Sequence, residues 1–239
     1  ENALRIEFRE IPFRFPDLPS SFQNYTILYM SDLHLDGLRG LDRRLLELVD
    51  GLEVDLCVLG GDLRMETYGP FDEALRSLEA LTPRIRARDG VYGVLGNHDF
   101  EMGHHNEIRQ VLSEAGVTML DGETYEVHGI GFAGVKGFCG GFGRLQLEAW
   151  GEDVIKQFVQ EAVDEALKLE SALVRLGDMP IVVLMHYSPI MATVMGEAHE
   201  IFPFLGSSRL EEPLNWFDIT AVFHGHAHNG SPEGQTSKN

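Results

Sequence analysis

Five short apolar runs in this chain each end in oxygen or imidazole donors, and that repeated design restricts the fold more than any other feature. Tyr25 to Met30 leads into Ser31-Asp32-Leu33-His34, Val54 to Leu59 into Gly60-Gly61-Asp62, and Val91 to Leu95 into Gly96-Asn97-His98-Asp99. Pro180 to Met185 leads into His186, and Thr220 to Phe223 into His224-Gly225-His226-Ala227-His228. Apolar runs of this length read as strands buried on both faces, the pattern of parallel sheets. Between them apolar residues recur at helical spacing: Leu41, Leu45, Leu46 and Val49, then Phe71, Leu75 and Leu78, then Ile108, Val111 and Leu112. A longer helical segment runs from Glu152 to Leu176, with Val154, Phe158, Ala162, Ala166 and Leu169 as its apolar face, and it reads as an insertion docked on the core. Strands alternating with helices predict an α/β fold, a largely parallel sheet covered by helices.

Two regions follow a different rhythm. Leu4, Ile6 and Phe8 alternate with Arg5, Glu7 and Arg9, and Ile11, Phe13 and Phe15 continue the alternation. This predicts a strand or hairpin extension within residues 1–24. Val117 to Val135 is strand-like throughout, with turn signals at Asp121-Gly122 and His128-Gly129, which predicts hairpin pairing. Gly137 to Gly143 reads as a loop, and without a repeat or linker residues 1–239 are expected to form a single domain.

The charge balance limits the partners. With 38 acidic and 19 basic residues the chain carries a net charge of −19, which disfavours nucleic-acid backbones and anionic membranes. The stretch from Met179 to Met195 is the richest in apolar residues but is broken by His186, Ser188 and two prolines, so it does not read as a membrane span. Cys57 and Cys139 form no disulfide framework, and Cys57 sits in an apolar run, as a buried free thiol would. A cytoplasmic location is expected, or membrane association through a segment upstream of Glu1.

In open α/β sheets ligands bind at the carboxyl ends of the strands, so the five donor clusters are expected to converge. Asp32, His34, Asp62, Asn97, His186, His226 and His228 offer oxygen or imidazole and no thiolate, a set suited to divalent ions from manganese through iron to zinc. Seven donors are too many for one tetrahedral ion. Two ions sharing one carboxylate, with three further ligands each, account for all of them, and Asp62 on the middle strand is the natural bridge.

In that order the motifs resemble those of the calcineurin-like metallophosphoesterases: Asp-x-His at Asp32-Leu33-His34, Gly61-Asp62, Gly96-Asn97-His98-Asp99, the lone His186, and Gly225-His226-Ala227-His228. The resemblance extends from about Tyr25 to Asn229. It implies a four-layer α/β/β/α sandwich with a binuclear metal site at the strand ends. By position, Asp32, His34 and His228 would hold the first metal, Asn97, His186 and His226 the second, and Asp62 would bridge them. The activity implied is hydrolysis of a phosphate monoester or diester by a metal-bridging hydroxide, with His98 as general acid and Asp99 either orienting it or standing as a solvated loop carboxylate. Two divalent ions would make the pocket locally positive, so the acidic surface does not exclude a small phosphorylated substrate. The opening residues up to Ser31-Asp32-Leu33-His34-Leu35 further resemble a bacterial branch of the family whose members often carry an N-terminal anchor or export signal.

The chain also departs from the family pattern. Many relatives place an Asp three residues after Gly-Asp; here that position is Met65, with Arg64 before it and Glu66 after it. Arg64 is expected either to fork onto a substrate phosphate or to lie on the surface. His224 reads as a packing residue, His104 and His105 as a solvated helix start, and His128 and His199 as structural. The chain ends at Asn239, soon after His228, where relatives continue into closing strands. Met191, Met195, Ile201, Phe202, Phe204 and Leu205 fall in one irregular stretch that would overhang the site and either bind a lipid or nucleobase or pack on its own domain. The rival functions are a pyrophosphohydrolase or phosphodiesterase acting on a nucleotide- or lipid-linked substrate, and a non-catalytic metal-binding scaffold of the same fold.

Overall fold

The computed structural model describes residues 4–16, 18–65 and 72–238. Glu66 and Phe71 therefore lie outside the described residues. The chain divides into two compact units, Glu1–Met119 and Leu120–Asn239, each built around its own four-stranded sheet.

In the first unit, β1 (Ile27–Met30), α1 (Leu41–Val49), the short β2 (Glu53–Val54) and β3 (Leu56–Leu59) are followed by α2 (Asp72–Leu81) and β4 (Arg86–Ala87). The unit continues through β5 (Val91–Gly93), the single turn α3 (Asn97–Phe100), α4 (His105–Glu114) and β6 (Val117–Met119). The sheet order is β1-β3-β5-β6 and every pairing is parallel, with Ile27 opposite Leu56 and Cys57 opposite Val91. Leu56, Cys57, Val58 and Leu59 are all buried, as their unbroken apolar run requires of a central strand covered on both faces. On one face Leu45 and Val49 of α1, Leu78 and Leu81 of α2, and Ile108 and Leu112 of α4 pack against Cys57 and Leu59. β2 and β4 form a separate two-residue parallel pair.

The second unit opens with β7 (Thr124–Val127) and β8 (Ile130–Gly134), an antiparallel hairpin. Its turn is His128-Gly129, both at positive φ, the backbone twist that a tight two-residue hairpin demands. There follow α5 (Asp153–Leu176), β9 (Ile181–Leu184), α6 (Phe202–Leu205), α7 (Ser208–Leu214) and β10 (Ile219–Phe223). The sheet order is β10-β9-β8-β7, with β8, β9 and β10 parallel. Leu169, Ala172, Leu173 and Leu176 of α5 and Leu210 and Leu214 of α7 pack on Ala133, Ile181 and Val183.

Four expectations need correction. The alternating residues from Leu4 to Phe15 form no strand among the described residues, and Phe8, Ile11 and Phe13 are exposed, because alternation makes a strand only where a neighbouring strand accepts its hydrogen bonds. The one largely parallel sheet that periodicity predicts is instead two sheets, as the family resemblance implies, and of the two turn signals Asp121-Gly122 joins β6 to β7 while His128-Gly129 closes a hairpin. β1 and β10 are sheet edges and only partly buried, whereas their apolar runs predict burial on both faces. The buried stripe of α5 is Val159, Ala162, Glu165, Leu169, Ala172, Leu173 and Leu176, while Val154, expected inside, is 67% exposed in the first turn. Among the described residues no helix is long and apolar enough to cross a membrane.

Candidate metal centre

Because β1, β3 and β5 are parallel, their carboxyl ends release three loops on the same side of the first sheet. The loops extend the ladder: the N–H groups of Asp32, His34 and Leu35 donate to the carbonyls of Gly61, Asp62 and Leu63 at 2.9, 3.1 and 2.9 Å. Asp32, His34 and Asp62 all have left-handed backbone, with φ of 54°, 45° and 51°. Residues in that region cost roughly 1–3 kcal/mol each and cluster where a side chain must be aimed against local preference. Gly96 follows the same logic in space, since a Cβ there would lie 2.1 Å from Asp62 Oδ1. That close approach lets the His98 N–H donate to Asp62 Oδ1 at 2.9 Å. One oxygen of Asp62 and one ring nitrogen each from His34 and His98 lie within 4.8 Å of one another.

Asp99 is fully buried and accepts from the Leu63 N–H at 3.0 Å and the Gly96 N–H at 2.9 Å. It is a clamp between two site loops, and the solvated-loop reading fails. The carboxylate beside His98 is Glu101, whose Oε1 lies 3.3 Å from His98 Nδ1. The i,i+3 spacing of His98 and Glu101 was the only sequence signal for that pair. Arg64 is fully buried with its Nε 3.6 Å from Asp36 Oδ2, and Asp36 also accepts the Met65 N–H. The surface expectation for Arg64 fails, because its guanidinium is buried with a carboxylate alongside. His104 stands at the N-cap position of α4 and faces Glu107 at 3.2 Å, while His105 stacks on Phe100, which agrees with a helix start.

In the second unit His186 follows β9 and is fully buried, and its carbonyl accepts the Gly225 N–H at 3.1 Å. The His186 and His226 rings lie 4.9 Å apart, centroid to centroid, and Tyr187 meets His226 edge-on at 4.6 Å. His226 again has left-handed backbone, φ 71°. His228 is exposed at the end of the same loop. The segment from Ser188 to Ser207 is tied to this loop at three points that sequence reasoning did not foresee. Thr193 Oγ1 lies 2.9 Å from His224 Nε2, Glu197 accepts the Asn229 N–H at 2.6 Å, and the Phe204 carbonyl lies 3.0 Å from His226 Nε2. The Asn229 amide, helped by nearby His228 and His226, holds the Glu197 carboxyl below the usual carboxylate range.

The imidazoles carry a test of whether these donors fit a metal. A backbone carbonyl only accepts, so the ring nitrogen facing it bears the proton and the opposite nitrogen carries the lone pair. His34 Nδ1 faces the Arg64 carbonyl at 2.9 Å, and His226 Nε2 faces that of Phe204. Each ring is thus held in one tautomer, the usual arrangement around a metal-ligating histidine. His224 is the converse, with Nδ1 3.0 Å from the Gly225 carbonyl and Nε2 on Thr193, so both nitrogens are engaged and it remains a packing residue. His128 sits in the hairpin turn and His199 packs against Phe202, which agrees with the structural reading. Carboxylate, amide and imidazole donors without a thiolate suit divalent ions of the manganese-to-zinc series.

Comparison with known proteins bears on the same residues. A family model described as calcineurin-like phosphoesterase matches residues 25–230. The uncharacterized metallophosphoesterase YkoQ of Bacillus subtilis (strain 168) is 32% identical over 101 residues, 41% of this chain and 36% of that protein, so the match takes in about a third of that relative's length. The crystal structure of TT1561 of Thermus thermophilus superposes with a TM-score of 0.50 at 18% identity, covering 83% of this chain and 80% of that one. A second solved structure reaches a TM-score of 0.51 at 13% identity, over 89% and 87% of the two chains. At such identities the superpositions speak for the fold alone. The family match includes every donor from Asp32 to His228, and the chain belongs to the calcineurin-like phosphoesterase family.

Proposed function

We propose that this chain hydrolyses phosphate monoesters or diesters with two divalent metal ions, manganese, iron or zinc, as cofactors. Asp32, His34 and His228 would hold one ion, Asn97, His186 and His226 the other, and Asp62 would serve both. The observation that carries this reading is the fixed tautomer of His34 and His226, each turned by a backbone carbonyl so that the opposite ring nitrogen carries the lone pair. Bound there, the two cations would supply charge neutralisation at phosphorus and acidity to a water, as in other two-metal hydrolases. His98 gives its proton to the leaving-group oxygen, Glu101 faces its Nδ1, and Asp99 keeps the loop that carries it in place. No side chain is required as a covalent nucleophile. Since the family match spans both units, we read the whole chain as one catalytic domain.

A second reading narrows the substrate. Met191, Met195, Ile201 and Phe204 are exposed on the segment whose backbone touches His226, while Val194 and Leu205 of the same segment turn inward. An apolar surface beside the site favours a nucleotide- or lipid-linked phosphodiester or pyrophosphate over a small polar monoester. The scaffold alternative is disfavoured by the retention of all seven donors and His98. A net charge of −19 argues against nucleic acid as the substrate. The test is hydrolysis of bis-p-nitrophenyl phosphate and p-nitrophenyl phosphate by chelated protein reconstituted with each metal. Metal-dependent turnover is expected, with the diester preferred under the second reading; silence of the fully metallated protein would favour the scaffold.

A further inference from the structure

Glu165 is a lone carboxylate in the apolar stripe of α5, buried among Ala162, Leu169 and Ala172. A buried carboxylate is costly unless it is paired and hydrogen-bonded. Its Oε2 accepts the Gly137 N–H at 2.7 Å, and its Oε1 accepts from Lys168 Nζ at 2.5 Å, which also reaches Asp121 at 2.8 Å. The residue before Gly137 is Lys136, also buried. Its ammonium donates to the Gly137 carbonyl at 2.6 Å and lies 4.8 Å from the Phe138 ring centre and 5.4 Å from that of Tyr187. Its carbonyl accepts the N–H groups of both His186 and Tyr187 at 3.1 Å. Tyr187 in turn packs edge-on against His226.

A carboxylate and an ammonium thus bracket one turn of chain. The carbonyl of that turn holds His186, and its ammonium backs the ring that supports His226. Glu165 is paired with Lys168, and buried ion pairs are weak stabilisers, often matched by apolar residues of similar volume. What they deliver is direction. We infer that Lys136 and Glu165 are positioning residues for His186 and His226, an inference that rests on the assignment of those two histidines to the second metal. Through Glu165, α5 is wired to the metal centre.

The test is calorimetric titration of the chelated protein with Mn²⁺, alongside the melting temperature of the metal-free form. The wild type is expected to bind two equivalents. Lys136→Met should leave the first equivalent unchanged and weaken the second about 10- to 100-fold, the usual effect of losing an outer-sphere support. Glu165→Gln, which retains an oxygen to accept the Gly137 N–H, should weaken the second equivalent less than Glu165→Ala does. If a single variant fails to fold, Lys136→Met with Glu165→Gln removes one buried cation and one buried anion, leaves the net charge unchanged, and should show the same selective loss. Equal weakening of both equivalents, or a lower melting temperature with metal binding intact, would overturn the inference in favour of plain structural support. A wild type that binds fewer than two equivalents would overturn the binuclear reading itself, and the inference with it.

Discussion

The two units hold their donors by different means. In the first, the strand-end loops aim the side chains by bonding to one another: three of the candidate donor residues have left-handed backbone, Gly96 makes room for Asp62, and Asp99 clamps the N–H groups of Gly96 and Leu63. In the second, among the donors only His226 has left-handed backbone. The rest of the support comes from elements outside the strand-end loops: Glu165 of α5 accepts the Gly137 N–H, and the Phe204 carbonyl of α6 faces His226. The lesson is that neighbouring strand-end loops secure the carboxylate half through one another, while the histidine half depends on the packing of α5 and of the segment that follows His186.

The comparison can be broken at several points. Asp62→Ala should have the largest effect, a loss of hydrolysis on the order of 10³-fold or more together with loss of metal, because the shared carboxylate disappears. Activity assays paired with metal analysis would check it, and a metal-loaded, active Asp62→Ala would refute the bridging role. His98→Ala should keep both metals and lower kcat about 10²- to 10⁴-fold, as expected for a missing general acid. Metal loss in that variant would reassign His98 to the ligand set. Leu112→Ala in the first unit and Leu173→Ala in the second should each cost about 2–5 kcal/mol in denaturant unfolding, both side chains being fully buried. Only Leu173→Ala, which removes packing beneath α5, should also weaken the second metal equivalent. If Leu112→Ala does so equally, the contrast between loop-to-loop and helix-borne support fails. Asp99→Ala should cost least, about 1–3 kcal/mol for buried N–H groups left without an acceptor, with a fall in kcat and little change in KM. A change confined to KM would place Asp99 at the substrate.

Most strands and helices of the fold were legible, because burial on both faces writes an unbroken apolar run and a helix buried on one side writes a 3.6-residue period. β3 and α1 lie close to where those patterns put them. The failures occurred where a pattern needs a partner to become structure. Residues 4–16 alternate but meet no strand, and the runs of β1 and β10 say nothing of whether a neighbour lies on each side. The candidate donors from Asp32 to His228 stand out in the sequence, since metal chemistry calls for particular residue types at strand ends. Arg64, Glu101 and Glu165 were misread or missed because charged residues look alike in sequence whether they face water or one another.

What the sequence determined by itself is the list of candidate donors, their order along the chain and the alternation of strand and helix that delivers them, since all three follow from side-chain chemistry and local periodicity. Tertiary structure decided which nitrogen of His34 and His226 carries the lone pair and that Asp99 is a clamp. It also decided that a buried Lys136 and Glu165 stand behind His186. The physical reason is that tautomer, burial and ion pairing are set by atoms many residues distant, which local propensity does not encode.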